Sequence, residues 1–230
     1  MFDSRAKARA AIEAGGVTVD GRTVAKASDL VAGDAEIAAV AAHPWVGRGA
    51  LKLVHALEVW DVTVRDAVVL DVGASTGGFT EVALSRGAAR VYAVDVGRGQ
   101  LHPNLQTDPR VVNLEATDAR DLTPELIPEP IDLIVTDVSF IGLAKALPAA
   151  LALAPPGAAL VALVKPQFEV GPERVGKGGL VKDEAARREA LDGVAAFLAT
   201  AGWDVLATME SPIAGGEGNR EWLLHAVRRS

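Results

Sequence analysis

The sequence predicts a doubly wound α/β fold with a small module in front of it. From about residue 51 onward, short apolar runs alternate with segments of helical character, a pattern typical of parallel strands joined by helices. The first five runs are apolar throughout, as expected for strands that are buried on both faces of a parallel sheet. The candidate strands are residues 67–72, 90–95, 110–114, 132–137, 158–164, 203–209 and 221–227, and the candidate helices are residues 51–59, 77–86, 142–153 and 183–201.

The residues before this pattern predict a separate, smaller unit. A helix over residues 5–14 is expected to end at Gly15-Gly16, and a strand over 17–19 runs into the turn Asp20-Gly21. Residues 29–40 add another short β-like stretch. Proline and glycine in the following residues indicate a linker. The predicted organisation is therefore a module over residues 1–42, a linker over 43–50 and a main domain over 51–230.

Composition excludes several classes of protein. The 230 residues are 50% hydrophobic and 23% charged, which excludes an intrinsically disordered chain. With 0 Cys there is no disulfide framework, no cysteine-based zinc site and no thiol nucleophile. No run of 18 apolar residues exists, and the charged N-terminus is unlike a signal peptide, so we expect a cytoplasmic protein without a membrane span.

The negative charge is concentrated in the middle of the chain. The net charge is −7, and residues 71–140 hold 5 basic and 11 acidic side chains. Binding to phosphates needs only a local basic surface. The overall acidity therefore does not exclude an RNA partner.

The strongest local motif is a glycine-rich turn that follows the first strand of the main domain and opens a helix. It reads DVGASTGGFT, from Asp71 to Thr80. The motif lacks the lysine of the triphosphate-binding loop and the G-x-G-x-x-G spacing of dinucleotide-binding folds. Glycine lets a backbone approach a ligand closely. We expect ligand contacts from Gly73, Ala74, Ser75, Gly77, Gly78 and Phe79.

Acidic residues at the ends of three successive strands indicate the chemistry of that ligand. Asp71 precedes the first glycine by two residues, where a carboxylate suits a cationic ligand better than a pyrophosphate. Asp95 can accept both hydroxyls of a ribose, and Asp118 can meet an adenine amino group. S-adenosylmethionine carries an ammonium, a sulfonium and an adenosine but no phosphate, so it is the expected cofactor. A tight turn flanked by solvated acids is the plainer alternative.

Several longer segments resemble one known family. The segments DVGASTGGFT, VYAVDVGRGQL, DVSFI, KPQFEVG and GNREWLL occur in this order and together resemble the TlyA-type enzymes, once called hemolysins. The resemblance covers nearly the whole chain. It implies S-adenosylmethionine-dependent 2′-O-methylation of cytidines in 16S or 23S ribosomal RNA, or in both. It also implies a catalytic domain similar to the FtsJ-type RNA ribose methyltransferases.

The resemblance further implies a Lys–Asp–Lys–Glu catalytic tetrad. It falls on Lys52 in GRGALKL, Asp137 in TDVSF, Lys165 in VKPQFE and Glu221 in GNREWLL. Asp137 and Lys165 end the fourth and fifth strands, so they can meet at the ligand edge of the sheet. Taken singly, Lys52 could be a solvated helix residue, Asp137 a turn cap and Glu221 an edge-strand acid. Lys165 is harder to explain in that way, because an unpaired ammonium is costly to bury.

These residue types suit transfer to a ribose hydroxyl, which is a poor nucleophile. Lys165 is the best candidate to orient and deprotonate it. A lysine ordinarily has a pKa of about 10.4, so a lysine base needs burial or a cationic neighbour such as Lys52. Asp137 can orient Lys165 and face the positive methyl group, and Glu221 can hold the hydroxyl or one lysine. In-line transfer depends mainly on proximity and alignment, and we expect no metal.

Residues 4–40 resemble the αL-type RNA-binding module first seen in small-subunit ribosomal protein four. The basic residues Arg5, Lys7 and Arg9 are candidates for phosphate contacts. Members of the family usually begin with a further helix, so the module is expected to be incomplete here. The remaining RNA-contact candidates are Arg48 in the linker and Arg174, Lys177 and Lys182 in the glycine-rich loop over residues 166–182.

An RNA ribose 2′-O-methyltransferase acting on ribosomal RNA or ribosomal subunits is the main interpretation. The αL-type module and the basic loop speak against methylation of a small molecule. The intact tetrad speaks against a noncatalytic RNA-binding protein. A hemolysin-like pore-forming activity is the last alternative, and neither an apolar span nor a lytic helix in the sequence supports it.

Overall fold

The chain divides into two compact units, Met1–Pro44 and Trp45–Ser230, in a computed structural model. The structure describes residue 2 and residues 5–24, 26–215 and 218–230, without the side chains of Ala6 and Lys7. The predicted linker over residues 43–50 is divided between the two units, because the second unit begins at Trp45.

The first unit contains one helix and a small antiparallel sheet. Its elements are α1 (Arg5–Glu13), β1 (Val17–Val19), β2 (Arg22–Thr23) and β3 (Ile37–Ala39), with strand order β2-β1-β3. The predicted helix and first strand are confirmed, whereas the β-like stretch over residues 29–40 is a strand only at β3. The turn after α1 depends on glycine. Gly15 has a φ of +73°, and a Cβ at Gly16 would lie 2.6 Å from the Val40 carbonyl oxygen.

The second unit is a seven-stranded sheet covered by helices on both faces, which confirms the predicted fold class. Its strands are β4 (Val68–Val72), β5 (Arg90–Asp95), β6 (Val111–Glu115), β7 (Leu133–Thr136), β8 (Ala159–Val164), β9 (Trp203–Glu210) and β10 (Trp222–Arg228). Its helices are α2 (Ala50–Val59), α3 (Gly78–Ser85), α4 (Pro103–Gln106), α5 (Leu143–Ala146), α6 (Pro148–Ala152), α7 (Pro166–Glu169) and α8 (Glu184–Thr200). The strand order is β6-β5-β4-β7-β8-β10-β9.

The sheet is parallel except at β10, which pairs antiparallel with both β8 and β9. The order of connection reverses at β4, which lies between β5 and β7. In open α/β sheets, ligands bind beyond the carboxyl ends of the strands at such a reversal. The fold therefore places its ligand site at the carboxyl end of β4.

Side-chain alternation divides the core into two layers. On β4, Leu70 and Val72 pack in one layer with residues of α8, while Val69 packs in the other with residues of α2 and α3. Successive residues of a strand point to opposite faces. Asp71 therefore shares the face of Val69, beneath α3.

Two predicted segments differ from the structure. The helix predicted over residues 142–153 is two short helices, α5 and α6, because Pro148 begins the second one and has no N–H to continue the first. The loop predicted over residues 166–182 begins with α7 and contains two 3-10 turns, Pro172–Arg174 and Lys177–Gly179.

Candidate active site

The glycine-rich turn after β4 crosses over the end of β5. The N–H groups of Gly73 and Ala74 both donate to the Val94 carbonyl, at 2.9 and 3.0 Å. Gly73 has a φ of +86°, and a Cβ there would lie 3.0–3.1 Å from Val138. Glycine is required here because the backbone is left-handed and closely packed.

A cleft of about 690 Å³ lies beside this turn. Its walls come from the carboxyl ends of β4, β5 and β7 and from the residues after β6, as the strand order predicts. The lining includes Gly73, Ser75, Asp95, Gln100, Asp118, Asp137 and Ser139. A volume of this size is typical of cofactor sites.

Asp95 is fixed in the cleft by two backbone donors. Ser75 N donates to Oδ2 at 2.8 Å, and Gly97 N donates to Oδ1 at 2.7 Å. Each carboxylate oxygen can accept a further hydrogen bond. The carboxylate is therefore preorganised to accept two adjacent hydroxyl groups.

Asp118 also lines the cleft, but its carboxylate already has a cationic partner. Arg120 donates from Nε to Oδ1 at 3.0 Å and from Nη2 to Oδ2 at 2.6 Å. Hydrogen bonds from the Arg120 side chain and backbone lower the pKa of Asp118 to about 2. Asp118 is therefore an ionised acceptor at the mouth of the cleft.

Asp71 does not line the cleft. It is fully buried, and Thr80 Oγ1 on α3 donates to its Oδ2 at 2.7 Å. Its Oδ1 has no hydrogen-bond partner. Burial raises the pKa of Asp71 to about 7, against the effect of the Thr80 hydrogen bond. The hydrogen bond from Thr80 ties β4 to α3, and the contact with a cationic ligand expected for Asp71 stays a prediction.

The four predicted tetrad residues meet as a chain of alternating charges. Lys165 Nζ lies 2.5 Å from Asp137 Oδ1, and Lys52 Nζ lies 3.9 Å from Asp137 Oδ2 and 2.7 Å from Glu221 Oε2. Lys52, Lys165 and Glu221 are buried, with exposed fractions of 6%, 8% and 3%. Buried charges persist when each has an opposite partner, and here every member has one.

Lys165 has further contacts that fix its ammonium group. Its Nζ donates to Ser139 Oγ at 2.8 Å and to the Asp137 carbonyl at 3.3 Å. Lys165 lies directly before α7, where Pro166 begins the helix. Glu169, at the end of α7, accepts a hydrogen bond from Leu143 N at 2.9 Å. Hydrogen bonds at Lys165 and at Glu169 therefore join the segment after β8 to the segment after β7.

A second, smaller depression of about 240 Å³ adjoins the cleft. Asp137, Ser139 and Lys165 line it on one side, and Gly47, Arg48 and Gly49 line it on the other. The cleft and the depression share Gly73, Ser75, Asp137 and Ser139. Lys52 and Glu221 line neither, so they support the site from behind Asp137.

The residues expected to hold a cofactor do not all line the cleft. Gly73, Ser75, Asp95 and Asp118 line the cleft. Ala74, Gly78 and Phe79 line the small depression. Gly77 and Asp71 line neither. Gly77 has a φ of +93°, and a Cβ there would overlap the end of the Leu105 side chain, so glycine lets α3 begin close to α4, and its cofactor contact stays a prediction.

The expected RNA-contact residues are mostly exposed. Arg5, Arg9, Arg48, Lys177 and Lys182 all present their side chains to solvent. Arg9 forms an ion pair with Glu13 of the same helix at 2.7 Å. The side chain of Lys7 lies outside the described residues.

Arg174 differs from this group because it is paired within the protein. It contacts Glu189, and its Nη2 lies 3.7 Å from Asp183 Oδ2. It therefore anchors the loop to α8. Its expected role in RNA contact is weakened by these two acids.

Sequence reasoning missed four polar residues around the site. Ser139, Thr80 and Gln100 lie within the segments DVSFI, DVGASTGGFT and VYAVDVGRGQL. Asn219 lies in GNREWLL, where only Glu221 was selected. Its two partners are 38 and 40 residues away, so no local pattern could have shown them.

The structure shows neither a metal cluster nor a membrane helix within the range it describes. No group of three or more His, Asp or Glu side chains that could hold a metal ion occurs among the described residues. No helix in this part of the chain is long and apolar enough to cross a membrane.

Comparison with known proteins gives two family matches. The FtsJ-like methyltransferase model matches residues 45–228, and the S4 domain model matches residues 1–37. The first match begins where the second compact unit begins.

Individual relatives cover most of the chain. The chain is 48% identical over 223 residues to the 16S/23S rRNA (cytidine-2′-O)-methyltransferase TlyA of Mycobacterium tuberculosis, which is 96% of this chain and 83% of that protein. It is 37% identical over 226 residues to Hemolysin A of Brachyspira hyodysenteriae, which is 98% of this chain and 94% of that protein. A solved structure of a hemolysin-type protein from Streptococcus thermophilus is 38% identical, with a TM-score of 0.82, and the match covers 100% of this chain and 84% of that one.

Proposed function

The chain belongs to the FtsJ-like methyltransferase family, as its motifs predict, and we propose that it methylates the ribose 2′-hydroxyl of a cytidine in ribosomal RNA, with S-adenosylmethionine as the donor. One observation carries the proposal. The cofactor-sized cleft and the small depression meet at Asp137, whose carboxylate contacts Lys165. A donor in the cleft and a hydroxyl in the depression would therefore face each other beside a lysine.

The cleft suits S-adenosylmethionine. When bound, this cofactor supplies a methyl group on a positively charged sulfur, and the sulfur keeps the electron pair when the methyl group leaves. Asp95 is placed to accept the two ribose hydroxyls, since two backbone donors already orient its carboxylate. Asp118 is placed to accept from the adenine amino group while it keeps its contact with Arg120. Gly73 lets the turn pack against Val138 at the edge of the cleft.

Lys165 is the group that takes the proton from the 2′-hydroxyl. Lys165 lines the depression, and Ser139 and Asp137 fix the position of its Nζ. The role requires a neutral amine when the hydroxyl arrives. Asp137 then stabilises the ammonium that forms as the oxygen bonds to the methyl carbon. Alignment of the oxygen with the carbon–sulfur bond supplies most of the acceleration.

Lys52 and Glu221 act through Asp137, so we assign them as positioning residues. Lys52 Nζ lies on the Oδ2 side of the carboxylate, whereas Lys165 lies on the Oδ1 side. Glu221 holds Lys52 and lies 169 residues away from it in sequence. Of the two roles expected for Glu221, the geometry favours holding a lysine over holding the hydroxyl.

The RNA is expected to reach the site across exposed basic residues. Arg48 lines the depression itself, and Lys177 and Lys182 lie on the loop that follows the Lys165 segment. The S4 match over residues 1–37 supports further contacts from Arg5 and Arg9. A ribosomal substrate also favours the cytoplasmic location expected from the sequence.

Transfer of tritium from labelled S-adenosylmethionine to purified ribosomal subunits tests the proposal. Label should appear in a 2′-O-methylcytidine after nucleoside digestion, and Lys165→Ala should abolish it while the affinity for the demethylated cofactor stays unchanged. Asp192→Ala, an exposed acid on α8, is a matched control and should retain full activity. A wild-type protein that binds RNA and cofactor but transfers no label would favour the noncatalytic alternative.

A further inference from the structure

Asn219 is a buried polar side chain that the proposed reaction does not use. Its exposed fraction is 2%. Its Oδ1 accepts a hydrogen bond from Val181 N at 3.0 Å, and its Nδ2 donates to the Gly179 carbonyl at 2.7 Å. Both ends of the amide are satisfied by one segment of backbone. Asn219 therefore fastens the end of the loop over residues 171–182, hereafter the basic loop.

The same residue lies at the entrance to the strand that follows Glu221. Its carbonyl oxygen accepts a hydrogen bond from Gly215 N at 2.9 Å. A Cβ at Gly215 would overlap the Glu221 carboxylate, so Gly215 is packed directly against the acid. A displacement of Asn219 therefore reaches Glu221 both along the chain and through Gly215.

We propose that Asn219 is a positioning residue that couples the basic loop to the Lys52–Glu221 pair, so that RNA bound on the loop sets the geometry of the tetrad. This inference rests on the proposed function. The basic loop presents Lys177 and Lys182 to solvent, where phosphates can reach them. Glu221 contacts Lys52 at 2.7 Å, and Lys52 reaches Asp137. The path from the RNA-facing surface to the Asp137 carboxylate is thus continuous.

Arg187 provides a matched control for this coupling. Its Nη1 donates to the carbonyls of Val181 and Lys182, both at 3.4 Å. It therefore holds the same loop from α8. Arg187 has no hydrogen bond to the segment that carries Glu221 among the described residues, so its loss should loosen the loop without acting through that acid.

The test is a double-mutant cycle on single-turnover methyl transfer to ribosomal subunits at saturating cofactor. Asn219→Ala, Asn219→Asp and Arg187→Ala are each measured alone and together with Glu221→Gln. Asn219→Ala should lower the rate at saturating RNA by roughly 10- to 100-fold, because small misplacements in a transfer site have effects of this size. With Glu221→Gln present, Asn219→Ala should lower the rate by less than about twofold more, because it acts through the same residue.

Arg187→Ala should instead raise the RNA concentration for half-maximal rate, and its effect should be independent of Glu221. Affinity for the demethylated cofactor identifies folded variants, since Asn219 does not line the cleft. Asn219→Asp keeps the acceptor for Val181 N but removes the donor to Gly179. The same double-mutant cycle is therefore measured with Asn219→Asp if Asn219→Ala does not fold.

Two results would overturn the coupling. One is that Asn219→Ala lowers the transfer rate by the same factor whether or not Glu221→Gln is present. The other is that Asn219→Ala raises only the RNA concentration for half-maximal rate, as Arg187→Ala does, and leaves the rate at saturating RNA unchanged. An active wild type with either result refutes this inference alone, whereas a wild type that transfers no methyl group to RNA refutes the proposed function and this inference with it.

Discussion

Replacing Asp71 by asparagine should flatten the pH dependence of unfolding. Burial raises the pKa of this carboxyl from 3.8 to about 7. Between these two values the folded protein holds a proton that the unfolded chain has lost, so the free energy of unfolding falls as pH rises through this window. Each pKa unit corresponds to about 1.4 kcal/mol, so the full window corresponds to about 4 kcal/mol. Below pH 4 and above pH 7 the contribution of Asp71 is constant.

Urea unfolding at pH 5, 6, 7 and 8 provides the measurement. All 4 tryptophans lie in the unit Trp45–Ser230, so their fluorescence reports the unit that contains Asp71. Asparagine at this position can still accept from Thr80, but it adds an N–H₂ group where Oδ1 had no partner. The free-energy cost of burying this N–H₂ group does not depend on pH. The test is therefore the slope of the free energy of unfolding against pH, and not its absolute value.

The control is Asp192→Asn, which removes an exposed acid from α8 and should keep the wild-type slope. The free energy of unfolding of Asp71→Asn relative to wild type should rise by about 3 kcal/mol from pH 5 to pH 8, because about two pKa units of the window lie between pH 5 and pH 7. Parallel curves for Asp71→Asn and wild type would show that Asp71 is already ionised at pH 5, and the reasoning from burial would be wrong.

Three further predictions concern binding and transfer. Asp95→Ala should weaken binding of S-adenosylmethionine by roughly 10- to 100-fold in calorimetry, because two hydroxyls lose a charged acceptor; equal affinity would remove Asp95 from the site. Lys165→Arg should be as inactive as Lys165→Ala in the tritium assay, since a guanidinium stays protonated, and a fully active Lys165→Arg would leave Lys165 as a positioning group only. Arg5→Ala combined with Arg9→Ala should weaken RNA binding and flatten its salt dependence while cofactor affinity stays constant; an unaltered salt slope would show that these arginines do not contact RNA.

Much of the ligand edge could be predicted because it follows from topology. Parallel strands bring their carboxyl ends to one edge, so Asp95, Asp118 and Asp137 had to lie near each other once their strands were recognised. The positions of Lys52 and Glu221 came from the family resemblance, because they lie on a helix before the sheet and at the start of a late strand. No local pattern relates two residues that are 169 positions apart.

The differences between the expected and the observed positions have physical causes of the same kind. A strand that is buried on both faces shows no polar alternation, so the sequence does not reveal which face Asp71 takes. Its carboxylate lies beneath α3 instead of in the cleft. Pro148 was a visible signal that a single helix over residues 142–153 would break. Arg174 was selected as a basic residue of the loop, and its pairing with Glu189 was not visible because Glu189 lies on the next helix.

The order of charges in the tetrad explains why removing different members should destabilise the site to different extents. Glu221, Lys52, Asp137 and Lys165 alternate in sign, so removal of one end leaves three charges, of which two still neutralise each other. Removal of Lys52 leaves the buried Glu221 carboxylate without its ionic partner, while Asp137 keeps Lys165, and this is the costlier change because buried unpaired charges are strongly destabilising. We therefore expect Lys52 to act structurally, by pairing with Glu221 and holding the Oδ2 side of Asp137. Lys165 lies at the other end of the chain of charges and lines the depression, where the proposed reaction needs it.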